Sequence, residues 1–192
     1  MPTPMLSLMA FERSIQAACL PLWRQAAETG DGSRVGVFIR LPEDLSKKFP
    51  KNNQDASPAH VTFLYVGVVE GMEQEALLLR VLGKHLRQFK APIKAKLDGE
   101  DFFHGVQGRV PHVRVRFNQD MDRTRRLLVE ELRELGWTLA DWNQAGWRPH
   151  VTLEYQEPGA EAQHFAEIPE GTWSFDTFEV WGLKSLKKIQ VS

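Results

Sequence analysis

Two short segments of this chain place a histidine and a threonine one residue apart: His60-Val61-Thr62 and His150-Val151-Thr152. An apolar residue follows each, Phe63 or Leu153, and a tyrosine lies five positions after each histidine, Tyr65 or Tyr155. A proline stands just upstream of both, Pro58 and Pro149. Positions 60 and 150 are 90 residues apart, too far for one local motif and suited to two equivalent halves of a fold. Imidazole titrates near neutral pH, so of two facing imidazoles one can accept a proton while the other donates. Breaking a phosphodiester needs both actions: a base for the nucleophile and an acid for the leaving oxygen. Threonine hydroxyls would donate to the non-bridging oxygens, where charge builds. The scheme calls for no metal and no other cofactor, and two histidines without clustered Asp or Cys make a poor zinc site. One His-x-Thr alone says little, because threonine is common in strands and a single histidine is usually structural. Two copies in matching strand contexts carry the reading.

Side chains alternate between the faces of a strand. His60 and Thr62 then share one face, as do His150 and Thr152, while Val61, Phe63, Tyr65, Val151, Leu153 and Tyr155 form the opposite, core-facing set. Two such strands side by side about a pseudo-twofold axis would bring both His–Thr pairs into one cleft.

The remaining elements follow from periodicity and breakers. Residues 5–28 have helical spacing, kinked at Pro21, and are set apart as an N-terminal helical extension spanning residues 1–30, with the principal domain at 34–192. Strands are expected at 35–39, 60–69, 93–97, 110–117, 150–155, 173–183 and 186–191, the last two turning near Lys184-Ser185. Helices are expected at 72–90 and 121–135, with a helical turn at 45–49 inside the long loop 41–59 and a turn at 98–101. Mixed strands and helices with short connections point to an α+β fold with antiparallel sheet.

Hydrophobic residues at 42% and charged residues at 26% suit an ordinary globular chain, and six Trp with 11 Phe can fill a core without staples. Cys19 is the single cysteine, which excludes an internal disulfide and a Cys-rich zinc site and fits a reducing, cytoplasmic setting. The first residues lack a basic stretch, so no signal peptide is read, and no apolar run approaches the ~18 residues of a membrane span. A formal net charge of −1 argues against a stable grip on long duplex nucleic acid and favours a nucleotide or the end of an oligonucleotide.

Further candidates surround the two motifs. Val110 to Phe117 imitates them without the threonine, and alternation puts His112, Arg114 and Arg116 on one face. A solvated outer face is slightly favoured for this set, with His112 the strongest cleft candidate. Trp147 and Arg148 precede the second motif and could stack on a base and pair with phosphate, although loop packing explains Trp147 equally well. Phe102, Phe103 and His104 follow a turn and could line the pocket, with core packing the commoner fate of Phe. Lys47, Lys48 and Lys51 read as a solvated loop ahead of an anion-attracting lid, and His85 and His164 receive no role.

The paired His-Val-Thr strands resemble the two-histidine (2H) phosphoesterase superfamily, which includes 2′–5′ RNA ligase-like proteins and cyclic nucleotide phosphodiesterases. The likeness covers roughly Arg34 to Val191. It implies a bilobal pseudo-twofold α+β fold with two antiparallel sheets around a cleft and flanking helices. It also implies that His60 and His150 are the acid–base pair and that Thr62 and Thr152 hold the phosphate. The Asp55-Ala56-Ser57-Pro58 approach to the first motif resembles bacteriophage members more weakly, which would make a host nucleotide signal an attractive substrate. Two other readings stay open: a binding module without turnover, and a structural or assembly protein that kept the domain.

Overall fold

The computed structural model of the chain describes residues 28–49, 58–105, 108–139, 146–153 and 167–192. The expected N-terminal helix, Tyr155, Lys51, His164 and the Asp55-Ala56-Ser57 approach lie outside the described residues, as does the side chain of His104.

Eight strands and three helices are present among the described residues: β1 (Val35–Arg40), α1 (Glu43–Ser46), β2 (His60–Gly67), α2 (Gly71–Leu86), β3 (Ile93–Gly105), β4 (Gly108–Phe117), α3 (Met121–Glu134), β5 (His150–Thr152), β6 (Thr172–Phe175), β7 (Thr177–Trp181) and β8 (Lys187–Gln190). They build an α+β fold with two four-stranded antiparallel sheets, ordered β2-β1-β7-β8 and β5-β4-β3-β6. The two motif strands are edge strands, and β2 lies against β5 where the sheets meet.

The registers of the two sheets correspond position by position. Arg40 pairs with His60 and Phe38 with Thr62 in the first sheet; Arg114 pairs with His150 and His112 with Thr152 in the second. On the far side of the central strand, Phe38 faces Glu179 and Gly36 faces Trp181, as His112 faces Asp101 and Val110 faces Phe103. A pseudo-twofold axis therefore relates Arg40 to Arg114, Phe38 to His112, Glu179 to Asp101 and Trp181 to Phe103.

Val61, Phe63, Val151 and Leu153 are fully or almost fully buried, so the opposite faces of both motif strands form the core, as alternation requires. Helix α2 adds Leu78, Val81, Leu82 and Leu86, spaced one to four residues apart, and α3 adds Met121, Leu128, Val129 and Leu132. Asp120 caps α3 by accepting from the backbone N–H of Arg123 at 3.1 Å, and Gly136 follows the helix with φ +89°.

Three expectations change. Residues 98–101 are not a turn: β3 runs through them, and the excess residues appear as a register shift between Leu97 and Glu100, with Gly99 at φ +78°. Residues 173–183 are not one strand. Residue 176 separates β6, paired with β3, from β7, paired with β1, so the chain changes sheets in the middle of the expected strand, where the apolar phase shifts from Trp173 and Phe175 to Phe178 and Val180. Tyr65 is half-buried rather than core, because alternation breaks earlier in β2. Val37 pairs with Leu64 and Phe38 with Thr62, which leaves Phe63 as an extra residue, and Phe63 and Leu64 are both fully buried.

The skipped residue has a partner elsewhere. The Phe63 carbonyl accepts a hydrogen bond from Arg125 Nε at 2.8 Å, and Arg125 is only 2% exposed. A buried polar group at a bulge needs such a partner, because no neighbouring strand supplies one. Arg125→Ala removes this charged donor and its packed stem. It should destabilise the fold by on the order of 2–3 kcal/mol in urea unfolding, well above the effect of the exposed Arg126→Ala.

Candidate active site

The start of each motif strand fixes the imidazole. His60 Nδ1 lies 2.8 Å from the carbonyl oxygen of Pro58, and His150 Nδ1 lies 2.8 Å from that of Arg148. His112 repeats the arrangement, 3.1 Å from the Val110 carbonyl. A carbonyl only accepts, so Nδ1 must be the protonated nitrogen in all three rings. In the neutral form the lone pair then sits on Nε2, the nitrogen available to take or give a proton.

Each motif histidine stands edge-on to a stacked pair of rings. Phe38 and Trp181 stack at 4.5 Å and 25°, and His60 meets them at 5.0 Å and 4.9 Å with interplanar angles of 87° and 69°. Phe103 and His112 stack at 4.0 Å and 17°, and His150 meets them at 4.6 Å and 5.0 Å with angles of 77° and 66°. The two beds obey the same pseudo-twofold relation as the strand registers. Phe103 and His112 thus lie beside His150, and His112 is buried rather than on a solvated face. Arg114 and Arg116 do carry the exposed character expected of that face, and both turn to Asp98.

A charged network orders the first bed. Arg40 Nε donates to Glu179 Oε2 at 2.9 Å, its Nη2 pairs with Glu28 at 2.6 Å, and its guanidinium lies 5.5 Å from the Trp181 ring centre. Trp181 Nε1 donates to the same Glu179 oxygen at 2.8 Å. Burial alone would raise the Glu179 carboxyl, but the hydrogen bonds from Arg40 and Trp181 hold it below the ordinary carboxylate range. Sequence reading missed Phe38, Arg40, Glu179 and Trp181. Alternation within β1 puts Gly36, Phe38 and Arg40 on one face, yet the apolar run Val35-Gly36-Val37-Phe38-Ile39 conceals it.

Trp147 spans the junction of the sheets. Its Nε1 donates to the Thr62 carbonyl at 3.1 Å, and its ring stacks on Phe117 at 5.7 Å and meets Phe63 edge-on at 5.3 Å. These contacts pin the segment before β5 to the first motif strand. Arg148 is exposed, and its backbone carbonyl holds His150. Thr62 and Thr152 are half-buried on the same faces as their histidines. Lys47 and Lys48 are exposed, paired with Glu43 and the Glu170 carbonyl. His85 sits between α2 and α3, 2.6 Å from Glu131 and away from both motifs.

Burial makes imidazolium unfavourable at all three rings. It pushes His150 down to about 4, with the charges of His112 and His60 acting in the same sense and the Arg148 carbonyl opposing. The His60–His150 interaction places the two imidazoles within electrostatic reach of each other. His60 is lowered by burial and by Arg40 against the Pro58 carbonyl. His112 is lowered by burial, opposed by the Val110 carbonyl and the Asp101 carboxylate. Each motif thus pairs an imidazole whose Nε2 carries the lone pair with a half-buried threonine on the same strand face, groups that can exchange a proton and hydrogen-bond an anion.

The family model of the 2′-5′ RNA ligase superfamily matches residues 38–185, which include both motifs. The chain belongs to that superfamily of 2H phosphoesterases. Solved structures with this fold align along most of the chain. TT0787 of Thermus thermophilus is 20% identical with a TM-score of 0.55, over 83% of this chain and 95% of that one. E. coli LigT complexed with 3′-AMP is 17% identical with a TM-score of 0.52, over 83% and 95%. Kluyveromyces marxianus Usb1 with uridine monophosphate is 9% identical with a TM-score of 0.50, over 83% and 99%. No curated protein matches the chain significantly. Among the described residues no helix is long and apolar enough to cross a membrane.

The proton states have a measurable consequence. Imidazole 1H–15N spectra near neutral pH should show His60 and His150 as neutral Nδ1–H tautomers, with His150 titrating near pH 4. A histidine kept neutral in the fold gains a proton on unfolding, so the unfolded chain binds more protons between about 4 and the unperturbed 6.5. Stability should therefore fall as pH drops through that window, and His150→Phe should flatten the fall in unfolding curves collected across it.

Proposed function

We propose that the chain is a phosphodiesterase that needs no metal and hydrolyses a phosphodiester, with a cyclic one favoured, in a nucleotide, a cyclic oligonucleotide or an RNA end. The observation that carries this reading is the matched pair of imidazoles, each with Nδ1 bound to a backbone carbonyl and Nε2 left for chemistry. One Nε2 accepts the proton of water or a ribose hydroxyl as it attacks phosphorus. The other gives its proton to the departing oxygen. Thr62 and Thr152 donate to the non-bridging oxygens, where negative charge rises.

The depressed histidines fit an anionic substrate. A phosphodiester between them supplies the counter-charge that burial removes, so its binding draws a proton onto one ring. Superfamily membership supports a phosphoesterase or ligase-like reaction, and LigT with 3′-AMP and Usb1 with uridine monophosphate support a nucleotide ligand. Arg148 is a candidate for a flanking phosphate of the substrate. Phe103 and Trp147 are candidates for shaping the site around a base, Trp147 chiefly through its hold on Thr62. A cytoplasmic location suits such substrates.

A panel of cyclic mononucleotides, cyclic di- and trinucleotides, 2′–5′ oligoadenylates and RNA with a 2′,3′-cyclic end tests the reading. Wild type should hydrolyse at least one class. His60→Ala and His150→Ala should each lower kcat/KM by about 10³-fold or more while nucleotide affinity changes less than about tenfold. No turnover across the panel, with affinity retained, would establish a binding module instead. Activity that EDTA abolishes and added metal restores would refute the metal-free mechanism. Nucleotide affinity should rise as pH falls from about 8 to about 6, with proton uptake seen by calorimetry in buffers of different ionisation heat.

A further inference from the structure

The pseudo-twofold relation between the two halves of the site breaks at one titratable position. Phe38 and His112 occupy equivalent places: each faces the threonine of its motif across the strand pair and each stacks on the second ring of its bed. The first bed is Phe38 with Trp181, and the second is His112 with Phe103. The first half thus surrounds its histidine with rings that cannot take a proton, and the second half does not.

We propose that His112 is a positioning residue that assigns the two catalytic roles, making His150 the base and leaving His60 as the acid. This rests on the phosphodiesterase reading above. The His112 and His150 rings lie 5.0 Å apart, and His112 is 2% exposed. Two imidazolium ions this close and this poorly solvated repel strongly, so the pair titrates as a unit and holds at most one proton near neutral pH.

The surroundings decide where that proton goes. Asp101 on β3, opposite His112 in the strand register, favours His112 over His150 for any proton the pair takes up, and the Phe103 face lies flat against the His112 ring. Among the described residues, Arg114 on β4, Arg148 before β5 and His60 on β2 are the other charged or titratable groups acting on this pair, and all three oppose further positive charge. His150 is therefore the ring that stays neutral, with its Nε2 lone pair ready. Around His60 the bed rings are uncharged, and the cation acting on it among the described residues, Arg40, is already paired with Glu179 and Glu28.

In the resulting step, the attacking hydroxyl forms the new bond to phosphorus and passes its proton to His150 Nε2. The bond from phosphorus to the leaving oxygen breaks, and that oxygen takes the proton that binding of the anionic substrate has drawn from solvent onto His60 Nε2. Solvent then returns the proton from His150 to His60.

The test combines histidine NMR with leaving-group dependence. In wild type, the His150 resonance should show a second inflection at the midpoint of His112. In His112→Phe, which copies the first half, the His150 midpoint and the acid limb of kcat/KM should both move up by at least about half a pH unit. With p-nitrophenolate as leaving group no acid is needed. There, His60→Ala should keep activity within about tenfold of wild type, while His150→Ala should lose about 10³-fold. A His150 titration blind to His112 in an active enzyme overturns the proposal alone, as does the opposite pattern between the two alanine variants. A wild type that turns over no phosphodiester defeats the functional reading first, and the role assignment with it.

Discussion

Everything in the site depends on the hydrogen bond from each imidazole Nδ1 to the carbonyl two residues upstream. A histidine side chain has two rotatable bonds and two chemically different nitrogens. Without a fixed acceptor, neither its direction nor its tautomer is determined. A backbone carbonyl at 2.8 Å settles both at once for His60 and His150. The acceptors belong to Pro58 and Arg148, at the approaches to β2 and β5, where the backbone is about to enter extended structure. The position of Nε2 in each ring is thus written into the entry geometry of two strands, and the rest of the fold has the task of keeping β2 and β5 together.

That task falls on the junction between β2 and β5. Both are edge strands, and an edge has backbone groups without a ladder partner. Three contacts stabilise this edge of the first sheet. The bulge at Phe63 turns its carbonyl to Arg125 on α3, the Thr62 carbonyl accepts from Trp147, and the indole of Trp147 closes against Phe63 and Phe117. Each links the first motif strand to an element of the second half. Arg125 is worth its desolvation because the alternative is a buried carbonyl with no donor. The same contacts explain why Trp147, an aromatic beside a motif, has a demand on its ring before any base arrives.

The sequence made the two motifs and their faces legible because both obey one rule, period-2 alternation, over the short stretches where the rule holds. Val61, Val151 and Leu153 went into the core and their neighbouring histidines did not. Legibility ended where the backbone departs from the rule without a breaker residue to announce it. Phe63 and Leu64 are adjacent and both buried, which only the pairing partner β1 can reveal. The stretch from 173 to 183 reads as one strand although it serves two sheets; its trace in the sequence is a change of phase across Asp176-Thr177, from Trp173 and Phe175 inward to Phe178 and Val180 inward. The aromatic beds were illegible for a different reason: Trp181 and His60 lie 121 positions apart, and nothing local in either segment points to the other.

The correspondence between the halves also shows what symmetry can and cannot supply. Repeating one strand arrangement gives two imidazoles in equivalent settings, each with the same carbonyl tether and the same edge-on bed. Equivalence delivers position, but a reaction that removes one proton and adds another needs two groups that differ. The difference must then come from positions the repeat leaves unmatched. The cation pairing is one of these: Arg40 is held between Glu179 and Glu28, whereas its counterpart Arg114 reaches outward to Asp98, which also serves Arg116. The bed ring is the other, Phe38 against His112. Both departures add titratable or less fully paired positive charge to the same half, the one that holds His150. Two independent breaks act in one direction, so under the proposed mechanism acid and base would be told apart by the surroundings and not by the tether or strand geometry that the halves share.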